Sequence, residues 1–373
     1  MFPSPPTWTE NAIIYHIYPM GFFDCPKVNP IARVNPKLAE IQPVNRLSKI
    51  RHYYDYFTKL GINTIYLGPI FESCTHGYDT IDYFTIDRRL GTNQLFFEIV
   101  SELHTLGFKV IIDGVFNHTS RLHPVFVDIK NNQQNSRFID WYKNIDFSCN
   151  TVWQDGFSYK NWENHTELPE LNLENTEVQK FIFKIIQFWQ TKFNIDGWRL
   201  DVAYNLPPKI IEKIKQSTKQ FNNQSFIFGE LIHENYSNYV KPSLLDSCTN
   251  YQLYNTIIDS INQSDPWILD AEIDRQSKNY QNLRLINFTG NHDTTRLYTI
   301  MQREKDIAKF LELIMTFDGI PCIYYGDEIG LDGIKKSKLD NEIRQSMPLP
   351  HKFNFYQKKS FDTFRQIIFR YKK

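Results

Sequence analysis

Short apolar runs alternate with longer amphipathic stretches along almost the whole chain. A run of four to eight apolar residues without polar alternation is the pattern of a strand covered on both faces, and an apolar residue at every third or fourth position is the pattern of a one-faced helix. The spacing predicts strands at 13–18, 63–67, 109–115, 195–201, 226–229, 247–251, 283–288 and 321–325. Helices are predicted between and after them, at 47–60, 93–106, 178–193, 208–221, 251–262, 306–317 and 361–371. In 93–106, Leu95, Ile99, Leu103 and Leu106 share a face and Gly107 follows as a C-cap; 47–60 ends the same way at Gly61. Strand followed by helix, repeated eight times, predicts an α/β fold, a (β/α)8 TIM barrel. The alternative, an open doubly wound sheet, is disfavoured because no Gly-rich phosphate loop follows any strand.

One connection is far longer than the rest. About sixty residues, 117–177, separate the third strand from its helix, and a connection of that length is usually functional or a small domain. The predicted organisation is therefore a catalytic barrel of 1–116 and 178–373 interrupted by an inserted domain of 117–177 that forms part of a cleft. The insertion holds Trp141, Trp153, Phe157, Tyr159 and Trp162 among Asn, Asp and Gly. Such rings suit a wall that stacks flat apolar faces, or else the small core of the insertion itself.

Composition narrows the partners. With 42 basic and 42 acidic side chains the formal net charge is zero, which removes the electrostatic case for nucleic acid or an anionic membrane surface. No apolar run approaches the ~20 residues that span a bilayer, and the first Lys or Arg is Lys27, so no secretory leader is expected. The five cysteines (Cys25, Cys74, Cys149, Cys248 and Cys322) are scattered, with no CxxC pair, and read as reduced thiols of a cytoplasmic protein.

In a barrel of this kind, chemistry sits at the C-terminal ends of the strands. Three apolar runs end in a carboxylate: Val110 to Ile112 at Asp113, Trp198 to Leu200 at Asp201, and Phe226 to Gly229 at Glu230. A fourth opens into Asn291, His292 and Asp293. Any single acid after a strand is commonly the N-cap of the next helix, but four on one rim ask for another explanation. Strand alternation puts Arg199 and Asp201 on one side, and a guanidinium beside Asp201 favours the ionised form a nucleophile needs. Glu230 follows Phe226 and Phe228, and the expectation is that partial desolvation keeps it protonated near neutrality. One charged and one neutral carboxyl is the requirement of glycoside hydrolysis.

These segments resemble, in order, the signature regions of the α-amylase family, glycoside hydrolase family 13. Asp113-Gly-Val-Phe-Asn117-His118 is similar to the family's third-strand region, Gly197-Trp-Arg199-Leu-Asp201 to its nucleophile strand, Gly229-Glu230-Leu-Ile-His233 to its acid/base strand, and Asn291-His292-Asp293 to its seventh-strand region. His76-Gly-Tyr78-Asp79, Leu168-Pro-Glu-Leu-Asn172 and the stretch from Gly319 to Glu328 match as well. The resemblance runs from Tyr15 to Gly330. It implies Asp201 as nucleophile, Glu230 as general acid and base, and Asp293 as transition-state stabiliser. It further implies Arg199, His118 and His292 as contacts to the reacting sugar, Tyr78 stacked beneath it, and Asp113 as a supporting carboxylate. The implied activity is retaining hydrolysis of α-glucans or maltooligosaccharides. A transglycosylase or glucosyl isomerase is the alternative within the enzyme class, and a non-catalytic carbohydrate-binding protein the alternative outside it.

Trp198 and the 168–172 stretch look most like the neopullulanase and cyclomaltodextrinase branch. Where many α-amylases carry a calcium-contacting histidine, four residues after the nucleophile, this chain has Asn205. Asn117 is the one candidate metal ligand; calcium is possible, but no acidic DxDxDG loop accompanies it, so no metal or other cofactor is assigned. The family's C-terminal β-sandwich is expected to be absent, which implies either a compact version of the barrel or a shortened chain whose last helix exposes Phe361, Phe364, Ile368 and Tyr371 as a homo-oligomer contact or an aggregation liability.

Overall fold

The computed structural model describes residues 5–30, 42–301, 303–336 and 340–372. Eight strands form one all-parallel sheet: β1 (Ile14–Ile17), β2 (Thr64–Leu67), β3 (Lys109–Gly114), β4 (Gly197–Leu200), β5 (Phe226–Gly229), β6 (Ser247–Cys248), β7 (Ile286–Phe288) and β8 (Ile320–Tyr324). They pair in the order β6-β5-β4-β3-β2-β1-β8-β7. The two ends of that series meet: Thr249 bridges Ile286 in parallel, and the Asn250 N–H donates to the Ile286 carbonyl at 2.9 Å. The sheet thereby closes into the expected (β/α)8 barrel.

Every predicted helix is present, among them Asn93–Thr105, Thr176–Phe193 and Pro208–Phe221. Gly61 and Gly107 cap their helices at φ of 93° and 85°, a left-handed conformation that a Cβ would strain. The 18-residue Thr176–Phe193 helix starts at Asn175, whose side chain accepts from the Glu177 and Val178 amides. Its inner stripe buries Ile182, Ile186 and Trp189 against the barrel, and the Trp189 indole donates to the Tyr83 carbonyl at 2.7 Å.

Two elements had no periodic signature. Phe71–Ser73 and Thr80–Ile86 form an antiparallel hairpin on the rim, and Pro266–Asn279 is a second helix between β6 and β7. Of that helix only Glu272 is buried and Trp267 is exposed, so no apolar stripe announces it.

Segment 117–177 carries a helix, Pro124–Asn132, and a small hairpin of Asn161–Trp162 with His165–Pro169. Of its five candidate wall rings, Trp141, Phe157 and Tyr159 are buried; the last two pack on Phe126 and form the segment's own core. Trp153 lies under the Arg121 guanidinium. Trp162 is the ring of the five that lines the cleft.

The last helix, Phe355–Tyr371, corrects the expected exposed face. Phe364 and Ile368 are buried, together with Ile367, and Phe361 stacks on Tyr56 with centroids 4.7 Å apart. Burying each such side chain is worth about 1.5–3 kcal/mol, so the stripe belongs to the barrel. The exposed rings are instead Phe355, Tyr356 and Phe369. Near this helix Glu328 is fully buried: Tyr15 donates to its Oε1 at 2.5 Å, Tyr56 donates to the same oxygen, and the Gly326 N–H donates to Oε2 at 2.8 Å. Burial pushes the Glu328 carboxyl up to about 7.

Candidate active site

At the C-terminal mouth of the barrel lies a cleft of about 740 Å³, within the ~300–1,000 Å³ usual for ligand sites. Arg199 organises its floor. The residue sits at an inward position of β4 with its side chain 4% exposed. Its Nη1 lies 2.8 Å from both Asp113 oxygens and 2.8 Å from Asp201 Oδ1; Nη2 lies 2.9 Å from Glu230 Oε2. Three strand ends, those of β3, β4 and β5, therefore deliver carboxylates to one guanidinium fork, a geometry a single ammonium could not serve.

The charge count matters. Three carboxylates on one guanidinium leave the cluster with excess negative charge, which a bound proton would relieve. Burial raises the Asp201 carboxyl well above the usual carboxylate range; Arg199 opposes that, and Glu230, Asp113 and Asp293 add to it. The expectation that Arg199 holds Asp201 ionised thus accounts for one of the forces, and burial outweighs it.

Asp293 is governed differently. Burial alone would raise it, but His292, Arg344 and Lys335 together hold it well below the usual range. His292 Nε2 is 2.9 Å from Asp293 Oδ2, Arg344 Nη2 is 2.8 Å from Oδ1, and Lys335 Nζ is 3.5 Å from Oδ1. Arg344 also donates from Nε to the His292 carbonyl at 2.9 Å. Arg344 and Lys335 were not legible as site residues, because neither lies on or directly after a strand.

Tyr78, on the rim hairpin's loop, donates to Asp113 Oδ2 at 3.1 Å and lies 2.7 Å from His292 Nε2. Its ring stacks on His292 at 5.2 Å, and Tyr18 stacks on His292 at 5.5 Å. Tyr66 donates to the same Asp113 oxygen at 3.0 Å. Asp113 thus faces Arg199, Tyr66 and Tyr78. Tyr66 occupies the inward parity of β2, a signal that alternation along the strand offers.

His118 is 1% exposed, and burial, assisted by His76, lowers it to about 3, so it is neutral. The Asn205 amide donates to Asn117 Oδ1 at 2.7 Å, which turns the Asn117 amide nitrogen toward His118 Nδ1 at 3.2 Å. Nδ1 then accepts, and Nε2, buried without a partner on the cleft wall, carries the proton and is free to donate to a ligand hydroxyl.

The same contact bears on calcium. The Asn117 oxygen that would ligate a cation already accepts from Asn205, and among the described residues no three His, Cys, Asp or Glu side chains gather to hold a metal. These residues do not fit a calcium site. Among the described residues, no helix is long and apolar enough to cross a membrane.

Comparison with family models matches residues 17–369 to the α-amylase catalytic domain. The chain belongs to the α-amylase family. Among curated relatives, a cyclomaltodextrinase of a Bacillus species is 33% identical over 346 residues, covering 88% of this chain and 61% of the relative. An intracellular maltogenic amylase of Bacillus subtilis is 32% identical over 347 residues, covering 88% and 57%. The chain thus spans about three-fifths of the length of these relatives. Among solved structures, the cyclic α-maltosyl-(1→6)-maltose hydrolase of Arthrobacter globiformis superposes with a TM-score of 0.85 at 26% identity, covering 99% of this chain and 84% of that one. A debranching enzyme of Nostoc punctiforme superposes at 0.84 with 30% identity, covering 99% and 83%. The expected branch is the one these relatives represent.

Proposed function

We propose that this α-amylase family chain is a retaining hydrolase of α-glucosidic bonds in α-glucans or maltooligosaccharides. One observation carries the reading: Asp201 and Glu230 lie on neighbouring nitrogens of a single buried guanidinium, inside a cleft large enough for sugar. Sharing one fork supports the close spacing of a retaining pair, whose carboxyls stand roughly 5–5.5 Å apart. The relatives, a cyclomaltodextrinase and a maltogenic amylase by name, support the substrate class.

The mechanism follows from the roles. Glu230 gives its proton to the leaving glycosidic oxygen as Asp201 attacks the anomeric carbon; the C–O bond breaks and a glycosyl ester on Asp201 forms. Water then attacks the same carbon, Glu230 takes its proton, and Asp201 leaves. Asp293, whose carboxyl His292, Arg344 and Lys335 hold well below the usual range, grips sugar hydroxyls as the ring flattens. His118 and His292 donate to the same ring, Arg199 fixes the carboxylates, and the Tyr78 face packs under the sugar. Asp113 holds Arg199 and Tyr78 in place. Segment 117–177 serves as the inserted domain, supplying Trp162 and His165 to the cleft wall. A cytoplasmic setting is supported by the five unpaired cysteines and by the intracellular relative in Bacillus subtilis.

The test is Asp201→Asn assayed with maltoheptaose, cyclodextrin, pullulan and trehalose. Turnover is expected to fall by at least about 10³-fold while the melting temperature stays near that of the unsubstituted chain. NMR of the first product should show the α-anomer. A persistently active Asn variant, or an initial β-anomer, contradicts the assignment.

A further inference from the structure

We propose that Arg89, which does not line the cleft, is a positioning residue of the active site: its buried guanidinium anchors the loop 74–79 and so fixes Tyr78 beneath the reacting sugar. The inference rests on the proposed function for what Tyr78 does there.

Two arginines follow the rim strand Thr80–Ile86 and Asp87, and arginine side chains at the end of a strand usually turn to solvent. Arg89 turns inward and is 2% exposed. A guanidinium cannot shed its charge, so burying it is costly unless its N–H groups find acceptors. Nε donates to Asp87 Oδ1 at 2.8 Å, and Nη2 donates to Asp87 Oδ2 at 2.7 Å and to Ser73 Oγ at 2.8 Å. Nη1 donates to three main-chain carbonyls, those of Thr75 at 2.6 Å, Pro26 at 3.1 Å and Lys27 at 3.3 Å. One edge of the fork thus meets a carboxylate and the other meets backbone from two separate loops. Asp87 balances the charge, and the second edge explains the choice of residue: an ammonium paired to Asp87 has no rigid fork with which to hold the carbonyls as well.

The loop that Arg89 holds is closed on itself. The Thr75 N–H and hydroxyl donate to Asp79 Oδ1 and Oδ2 at 3.0 and 2.6 Å, and the Cys74 N–H donates to the Asp79 carbonyl at 3.1 Å. Between these ties Gly77 stands at φ 94°, where a Cβ would meet Pro69 at 2.5 Å. The Tyr78 N–H donates to His76 Nδ1 at 3.2 Å, and the Tyr18 hydroxyl donates to the His76 carbonyl at 2.8 Å. A loop bonded to itself in this way passes a shift at Thr75 on to Tyr78 instead of absorbing it. Tyr78 has little latitude, since its hydroxyl lies 3.1 Å from Asp113 Oδ2 and 2.7 Å from His292 Nε2. Tyr18 steadies the crest of the loop, and Arg89 sets its base.

The experiment is a double-mutant cycle on maltotetraose and on α-maltosyl fluoride, whose better leaving group keeps slow variants measurable, with rates taken well below each melting temperature. Arg89→Lys keeps the charge beside Asp87 but releases the carbonyls. Its kcat/KM should fall by about tenfold to about 10²-fold, the size of a misplacement on the order of 1 Å. Made in a Tyr78→Ala background, the same substitution should cost less than about twofold, because the side chain it positions is gone. Arg89→Met combined with Asp87→Asn removes both charges, leaves no buried carboxylate unpaired, and should show the same dependence on Tyr78; it guards against simple unfolding. A substitution that only loosened the fold would cost one factor in both backgrounds. Equal losses in the two backgrounds, or an Arg89→Lys enzyme as fast as the unsubstituted chain, overturn the positioning role alone. A wild type inert on both substrates overturns the glycosidase reading and this inference with it.

Discussion

Removing the charge of Arg199 tests the heart of the site. In Arg199→Leu three buried carboxylates lose the guanidinium they share, at 2.8–2.9 Å in the structure. An opposite charge this close lowers a carboxyl pKa by about 1–3 units, and Arg199 is the largest influence holding Asp201 down against burial. Without it the Asp201 pKa rises further. The ionised form then requires a higher pH, so the acid limb of kcat/KM should move upward by about 1–3 units. Breaking a buried pair by deleting one partner also costs about 3–5 kcal/mol of stability, which a lowered melting temperature would register. Arg199→Lys guards against simple unfolding. It keeps the charge but cannot reach Asp113, Asp201 and Glu230 together, so its acid limb should move less while kcat falls by about 10²-fold. The assay is a pH series of initial rates on maltotetraose, with thermal melts at each pH. An active Arg199→Leu protein whose acid limb stays in place would show that Arg199 does not control the ionisation of Asp201.

Three further outcomes are expected. Phe364→Ala should cost about 3–5 kcal/mol in denaturant unfolding, because the residue is 1% exposed, whereas Tyr356→Ser should stay within about 0.5 kcal/mol; equal effects would contradict the inward stripe of the last helix. Glu328, pushed up to about 7 from an unfolded value near ~4.5, contributes stability that is complete below the unfolded pKa and is lost as pH rises through the folded one. That component amounts to about 3 kcal/mol, so Glu328→Gln should flatten the decline in stability between pH 5 and 8, and an unchanged slope would exclude Glu328 as its source. Treatment with a calcium chelator should leave melting temperature and rate as they were, since Asn205 occupies the Asn117 oxygen; a drop of several degrees would point to a bound cation.

The barrel was legible because its strands are covered on both faces. Continuous runs such as Val110 to Ile112 cannot be mistaken for surface, and the turn glycines at Gly61 and Gly107 mark where helices stop. Ends were less legible. The predicted strand from Ser247 extends in sequence as far as Tyr251, but the Asn250 side chain accepts from the Leu253 amide and starts a helix there. The Pro266–Asn279 helix gave no periodic signal because its apolar residues are largely exposed. At the site, carboxylates at strand ends could be read from position alone. Arg344 could not, since its contact with Asp293 joins residues 51 apart and Arg344 itself stands about twenty residues beyond the end of β8. The ionisation of Asp201 departs from the sequence expectation for a related reason: a local neighbour, Arg199, is visible in sequence, but burial and a convergence of three distant acids are not.

The ring closes between β6 and β7 at a single isolated bridge, Thr249 to Ile286, where the Asn250 N–H donates to the Ile286 carbonyl. Elsewhere the staves are joined by longer ladders, as between β2 and β3, where Thr64 to Leu67 pair with Lys109 to Ile112. At the seam, side chains take over: the Asn250 amide donates to Asn287 at 3.0 Å and to Gln276 at 3.2 Å. Stability is not uniform in such a ring. The seam is the place where amide protons would exchange with solvent first, and opening there frees β6 before it disturbs β5, the strand that carries Glu230. A cylinder fastened along one line by amide side chains can thus breathe on one side while the stave bearing the acid stays fixed.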